Sequence, residues 1–205
     1  MDPSILVWTA AGFVLGAIPF SVLITERISG QDPRSFGDRN PGAVNAWRAA
    51  GWRAGIPSML LDFFKGAIPV GLAHYRFGVA GIGLIPVALA PVVGHAFSPF
   101  LRFRGGKALA VTFGVWAGLT LGEAALILGL FFGLFYLTIR PEAWAVVLGM
   151  LGLLVHLVLR GIAPALFVIW TGNAAILLWK YREELRRPPS PRPDLLAGIS
   201  SRLRQ

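Results

Sequence analysis

Gly94-His95-Ala96-Phe97-Ser98-Pro99-Phe100-Leu101-Arg102-Phe103-Arg104-Gly105-Gly106-Lys107 is a polar, glycine-rich stretch between two oily ones. An apolar run from Phe77 leads into it, and the helix-forming Ala108-Leu109-Ala110-Val111 follows. Two adjacent glycines leave backbone N–H groups unobstructed, and the first turn of a helix adds free donors and a positive dipole end. Arg102, Arg104 and Lys107 crowd the same turn, so the stretch reads as a site for an anion such as phosphate. Its setting predicts a turn at a membrane face.

The rest of the chain agrees with that setting. Of 205 residues, 55% are hydrophobic and only 14% charged, with mean hydropathy +0.66. Soluble domains carry about 25% charged residues. The apolar runs are continuous rather than alternating, which excludes a β-barrel and predicts an all-α, polytopic integral membrane bundle. Predicted spans are Ile5–Ile24, Ala54–Tyr75, Phe77–Pro99, Ala108–Leu121, Ala124–Ile139, Ala143–Leu159 and Ile162–Trp179, about seven in all. The first reads as a retained helix rather than a signal peptide. The fourth and fifth are short, so a six-span arrangement with a re-entrant pair is the alternative. Glu26–Arg53 reads as a long polar loop, and Gly122-Glu123 as a turn. Residues 1–180 form the membrane domain and 181–205 a basic tail, in which Pro188, Pro189, Pro191 and Pro193 suggest a spacer.

Charge sets the expected orientation. Seven spans place Arg27, Arg34, Arg39, Arg48, Arg53, Arg102, Arg104, Lys107, Arg140 and the tail on one side, against Arg76 and Arg160 on the other. Basic loops face the cytoplasm, so the first loop, the glycine-rich turn and the C-terminus are expected there. The net charge of +9 is thus an orientation signal. No basic soluble domain is present to bind nucleic acid. The absence of cysteine excludes disulfides and thiolate chemistry. No histidine pair has zinc spacing, and His74 and His156 sit at or within apolar runs without evident partners.

Two further constellations stand out. Gly37-Asp38-Arg39-Asn40-Pro41-Gly42-Ala43-Val44-Asn45 offers tight turns and amide donors for phosphate or glycerol hydroxyls. It also reads as a helix entry, with Asn40 as N-cap and Pro41 first in the helix. Asp62 and Lys65 share a helix face within an apolar run, either as functional charges or as a mutual salt bridge. Rival motifs are absent. Leu101 stands where a Walker loop needs glycine, no histidine is followed five residues on by aspartate, and no Gly-x-Ser-x-Gly occurs.

Together these segments resemble the acyl-phosphate-using glycerol-3-phosphate acyltransferases of bacterial phospholipid synthesis. Gly16-Ala17-Ile18-Pro19-Phe20 is similar to that family's Gly-Ser-Ile-Pro-Phe. Gly37–Asn45 resembles Gly-Ser-Gly-Asn-x-Gly-Ala-Thr-Asn, and Leu61–Gly66 resembles Leu-Asp-x-x-Lys-Gly. Gly94–Lys107 resembles Gly-His-x-Phe-Pro-x-Phe-x-x-Phe-Lys-Gly-Gly-Lys. The resemblance implies seven spans in the bacterial inner membrane, a cytoplasmic-side site and no cofactor. It implies acyl transfer from acyl phosphate to the 1-hydroxyl of glycerol 3-phosphate. Catalysis would fall to Asn40, Asn45 and Lys107. Phosphate would be bound by Arg39, Gly42, Lys65, Arg104, Gly105 and Gly106, with Asp38, Asp62, His95, Tyr181 and Arg182 behind them. His95 is expected to be structural.

The chain departs from the family pattern at several positions. Asp38 replaces serine, Arg39 glycine, Val44 threonine and Arg104 lysine, while Ala108 and Val111 replace glycine and threonine. Tyr181-Arg182-Glu183-Glu184 stands where the family has His-Arg-Glu-Asn. These changes set an active, retuned enzyme against a catalytically silent relative that binds lipid phosphate or a partner acyltransferase. Small residues recur in several spans and do not fix an oligomeric state.

Overall fold

The computed structural model describes residues 2–192; the tail beyond Arg192 lies outside the described residues. The helices are α1 (Pro3–Ala17), α2 (Phe20–Ser29), α3 (Ala43–Ala50), α4 (Trp52–Gly71), α5 (Leu84–Ala96), α6 (Leu109–Thr120), α7 (Glu123–Thr138), α8 (Glu142–Leu159) and α9 (Pro164–Leu185). Among the described residues, four helical runs are long and apolar enough to cross a membrane: Pro3–Ser29, Trp52–Arg76, Gly81–Leu101 and Glu142–Leu159. α6 has 12 residues and α7 has 16. At 1.5 Å per residue they reach about 18 and 24 Å, short of a hydrocarbon core of about 30 Å. α9 has 22 residues, with Lys180, Arg182, Glu183 and Glu184 in its last turns.

The expected first span is interrupted. Pro19 offers no N–H, and Ile18 before it is pushed into extended backbone (φ −62°, ψ 121°). The interruption turns two carbonyls outward, and distant side chains use them. Ser98 Oγ donates to the Ala17 carbonyl at 2.6 Å, and Lys65 Nζ to that of Ile18 at 3.0 Å. The loop expected at Glu26–Arg53 is mostly structured, holding the end of α2, a 3-10 turn at Pro33–Ser35 and α3. The helix entry predicted at Asn40 lies two residues later, where Gly42 is the N-cap.

α1 packs along α5, α4 along α6, and α7 along α8. The first two contacts are backbone to backbone. A Cβ on Gly16 would overlap the Pro91 backbone, and one on Gly114 would overlap the Phe63 carbonyl. In lipid, such close approach replaces the hydrophobic drive that water supplies elsewhere. One buried polar chain crosses this interior. Trp116 Nε1 donates to Asn173 Oδ1 at 3.1 Å, and Asn173 Nδ2 to Thr112 Oγ1 at 2.9 Å. Leaving such groups unpaired in the interior costs about 1–3 kcal/mol each, so the network specifies how α9 sits on α6.

The proline-rich segment is less of a free spacer than expected. Ser190–Pro191 pairs antiparallel with Ile139–Arg140, Arg192 N donates to the Thr138 carbonyl at 2.9 Å, and the Arg192 guanidinium lies 4.4 Å from the Tyr136 ring centre. His74 and His156 also have partners. His74 Nδ1 is 2.9 Å from the Val79 carbonyl, and His156 Nε2 is 3.1 Å from Glu123 Oε1.

Candidate active site

Lys107 is the centre of the site. It lies between the glycine-rich turn and α6, with its Nζ 2.6 Å from Asp38 Oδ2 and also paired with Glu184 Oε1. The same ammonium sits 4.7 Å from the Tyr181 ring centre. Tyr181 is buried, and its hydroxyl donates to Glu142 Oε1 at 3.3 Å. Four segments far apart in sequence thus meet: the first loop, the glycine-rich turn, the head of α8 and the last turns of α9. Three carboxylates, Asp38, Glu142 and Glu184, surround one lysine.

The first loop is braced from within. Asn45 Nδ2 donates to Asp38 Oδ1 at 2.8 Å and to the Asn40 carbonyl at 2.9 Å. Arg48 Nη1 donates to Asn45 Oδ1 at 3.0 Å, and its guanidinium fills the space a Cβ on Gly37 would need. Asn45 is therefore buried and spent on holding the loop. Asn40's side-chain amide has no hydrogen bond among the described residues, and it packs against Gly42. Burial pushes the Asp38 carboxyl up, but Lys107, Asn45 and the Asn40 backbone N–H outweigh it and hold the group below the usual carboxylate range. For Lys107, burial favours the neutral form, and Asp38 and Glu184 more than reverse it.

The two glycines do something different from what was expected. The Gly106 N–H donates to the His95 carbonyl at 3.1 Å, so that amide is not free for an anion. A Cβ on Gly105 would overlap the His95 carbonyl, and one on Gly106 would overlap the His95 ring. Their small size lets the turn lie flat on the end of α5. Lys180 clamps it there, donating to the carbonyls of Ala96 at 3.0 Å and Gly105 at 2.7 Å. Lys107 is the foremost charged donor that remains for an anion beside this turn.

Asp62, Lys65 and His95 form a separate, buried group. Lys65 Nζ is 2.7 Å from Asp62 Oδ1, and His95 Nδ1 is 3.7 Å from the same oxygen. With its bond to Ile18, Lys65 is enclosed by protein. Arg182 points elsewhere, donating to the Trp179 carbonyl at 2.7 Å and stacking over that indole. Arg39 and Arg104 line a cleft beside α2 and form no ion pair among the described residues.

Glu142, Lys180 and Arg48 belong to the assembled site and were not among the site residues picked from the sequence, and Glu184 had been noted only as a departure from the family pattern. Glu142 had one visible signal, an acid at the head of a long apolar run. The others look like ordinary charges at helix ends.

Comparison with known proteins gives consistent findings. The profile of the family described as glycerol-3-phosphate acyltransferase matches residues 6–188. Glycerol-3-phosphate acyltransferase 1 of Thermotoga maritima is 40% identical over 190 residues, covering 85% of this chain and 93% of the relative. The Burkholderia thailandensis glycerol-3-phosphate acyltransferase is 32% identical over 216 residues, covering 98% and 96%. The crystal structure of PlsY (YgiH), an integral membrane glycerol 3-phosphate acyltransferase, superposes in its glycerol 3-phosphate form with TM-score 0.81 at 30% identity, covering 95% of this chain and 93% of that one. Its lysophosphatidic acid form gives 0.80 at 28% identity.

Proposed function

The chain belongs to the glycerol-3-phosphate acyltransferase family, and from that premise we propose that it moves a fatty acyl group from an acyl phosphate to the 1-hydroxyl of glycerol 3-phosphate. The hydroxyl oxygen bonds to the acyl carbon, the carbon–oxygen bond to phosphate breaks, and the proton leaves on the departing phosphate. Lysophosphatidic acid and inorganic phosphate are the products. The observation that carries this reading is the convergence of four chain segments on Lys107. A charged lysine held by partners that a phosphate can replace suits a site receiving phosphorylated substrates. Phosphate is already a good leaving group, so the protein's task is positioning and charge. Orientation alone is worth up to about 7–11 kcal/mol in well-aligned cases. The uncommitted side-chain amide of Asn40 supports a role for it in binding a glycerol hydroxyl or a phosphate oxygen. The distribution of basic loops supports a site on the cytoplasmic side of the inner membrane.

A second reading rests on the same lysine. Asp38 and Glu184 already place carboxylates where a substrate phosphate would bind, as a silent lipid-phosphate binder would tolerate. Phosphate release by the purified full chain, given acyl phosphate and labelled glycerol 3-phosphate, separates the two. The expected result is turnover that Lys107→Ala abolishes. A folded protein that binds either substrate without turnover establishes the silent reading.

A further inference from the structure

Lys107 stands in a stretch with an unfavourable backbone. Arg102 has φ 52°, Phe103 φ 62° and Ala108 φ 66°, the left-handed region that strains a residue with a Cβ. Ala108, next to Lys107, is the N-cap of α6 and gives that helix no side-chain cap. The family pattern carries glycine at position 108, which takes this backbone without strain, and this chain carries alanine. A strained turn keeps its shape only where its surroundings over-determine it. The residues that do so govern where Lys107 stands.

Two of them share one face of α9. Lys180 and Glu184 are one helical turn apart. Glu184 pairs with the Lys107 ammonium. Lys180 Nζ donates to the Gly105 carbonyl at 2.7 Å and to the Ala96 carbonyl at 3.0 Å. Ala96 ends α5, where carbonyls have no partner within the helix. The neighbouring His95 carbonyl takes the Gly106 N–H at 3.1 Å. One ammonium thus ties the end of α5 and the glycine-rich turn to the last turns of α9. The Phe97 ring, 5.7 Å from that ammonium, covers it further. Its donors go to backbone carbonyls rather than to a carboxylate, so its charge is spent inside the protein.

We propose that Lys180 is a positioning residue for Lys107: by tying Gly105 to the end of α5, it fixes the backbone from which Lys107 meets the phosphorylated substrates. This rests on the acyl-transfer reading. Glu184 and Lys180 divide the task between them. Glu184 holds the Lys107 ammonium, and Lys180 holds the chain from which that side chain springs. When a substrate phosphate displaces Glu184, the Lys180 bonds remain, so the turn keeps its place while the side chain changes partner.

Steady-state kinetics and amide hydrogen exchange of the full chain in detergent test this. Lys180→Met keeps the length of the side chain and removes its donors. It is expected to lower kcat about 10- to 100-fold and to leave the KM for glycerol 3-phosphate within about twofold. Exchange in residues 104–109 should rise about tenfold or more, with α4 unchanged. The chain has no cysteine, so a thiol introduced at position 180 is unique. Alkylating Lys180→Cys with 2-bromoethylamine, the thiolate displacing bromide, rebuilds an ammonium at nearly the length of lysine. Most of the lost kcat and the slow exchange should return, and iodoacetamide, a neutral cap, should restore neither. That arm also decides the matter if Lys180→Met does not fold. Unchanged kcat in Lys180→Met, or equal rescue by the two reagents, overturns the proposal. A raised KM with unchanged kcat overturns it too, because Lys180 then binds substrate itself. A parent chain without turnover fails the acyl-transfer reading, and exchange then decides alone: a rise confined to the turn supports Lys180 as its positioning residue, and no rise overturns it.

Discussion

The chain contains two aspartate–lysine pairs of similar geometry and different consequence. Asp62 and Lys65 are 2.7 Å apart, with side chains 4% and 2% exposed. Asp38 and Lys107 are 2.6 Å apart, with side chains 44% and 18% exposed. The first pair is sealed between helices and completed by a backbone carbonyl, so nothing from outside can compete for it. The second is open, and a further carboxylate, Glu184, shares its lysine. The contrast teaches that an ion pair's role follows from what can reach it: a closed pair holds the bundle, and an open pair can exchange its partners.

The comparison breaks first at the sealed pair. Asp62→Ala leaves a buried, unpaired ammonium, and is expected to cost about 3–5 kcal/mol. Thermal unfolding in detergent should show it as a large drop or as loss of folded protein, whereas Asp62→Leu with Lys65→Met recovers most of the stability. Asp38→Ala should move the same transition far less. Equal losses for Asp62→Ala and Asp38→Ala erase the distinction.

At the open pair the effect is on turnover. Lys107→Ala is expected to lower acyl transfer by about 100-fold or more, the scale of removing one charge stabiliser from a reaction centre. Its melting temperature should stay within a few degrees of the parent protein. A smaller effect follows from competition between carboxylates and substrate. Asp38→Ser and Glu184→Asn should each lower the KM for glycerol 3-phosphate by about three- to tenfold, through removal of a like charge. A higher KM in both variants makes the carboxylates part of substrate recognition and reverses their assignment as competitors.

The smallest effect is in pH. Asp38 titrates below its ordinary value, so its pairing contributes stability fully above about pH 3.9. That contribution fades as pH falls through the depressed value. Lys107 titrates above its ordinary value, so its contribution is complete below about pH 10.4 and fades as pH rises through the raised one. The difference in melting temperature between the parent and Asp38→Asn should therefore be flat from about pH 5 to pH 9 and shrink toward acid. A slope between pH 6 and pH 8 means another group controls the pair.

Much of the bundle was legible because continuous apolar runs have few other uses. α4 and α8 begin and end within a few residues of the predicted spans, and the Gly122–Glu123 turn lies where expected. The faces of these helices were not legible. In lipid the outside is as apolar as the inside, so no 3.6-residue alternation marks which side meets a neighbour. That is why the meeting of Glu142, Glu184 and Lys107 could not be read along the chain. The glycines show the limit from the other direction. Gly105 and Gly106 were read as donors because the pattern suits phosphate, yet their packing under His95 depends on where α5 ends.

The interruption at Ile18–Pro19 bears on how the protein is made. The acceptors it exposes wait for donors encoded 47 and 81 residues later, at Lys65 and Ser98. At ribosomal speeds of about 5–20 residues per second, the second arrives roughly 4 to 16 s after the first helix emerges. Until Ser98 arrives the Ala17 carbonyl must be served by water or by the insertion machinery, whereas that of Ile18 already accepts from the Phe20 N–H at 3.1 Å. This early segment is thus completed only once Ser98 has been made. A slower ribosome between residues 18 and 98 lengthens the interval in which it depends on outside help.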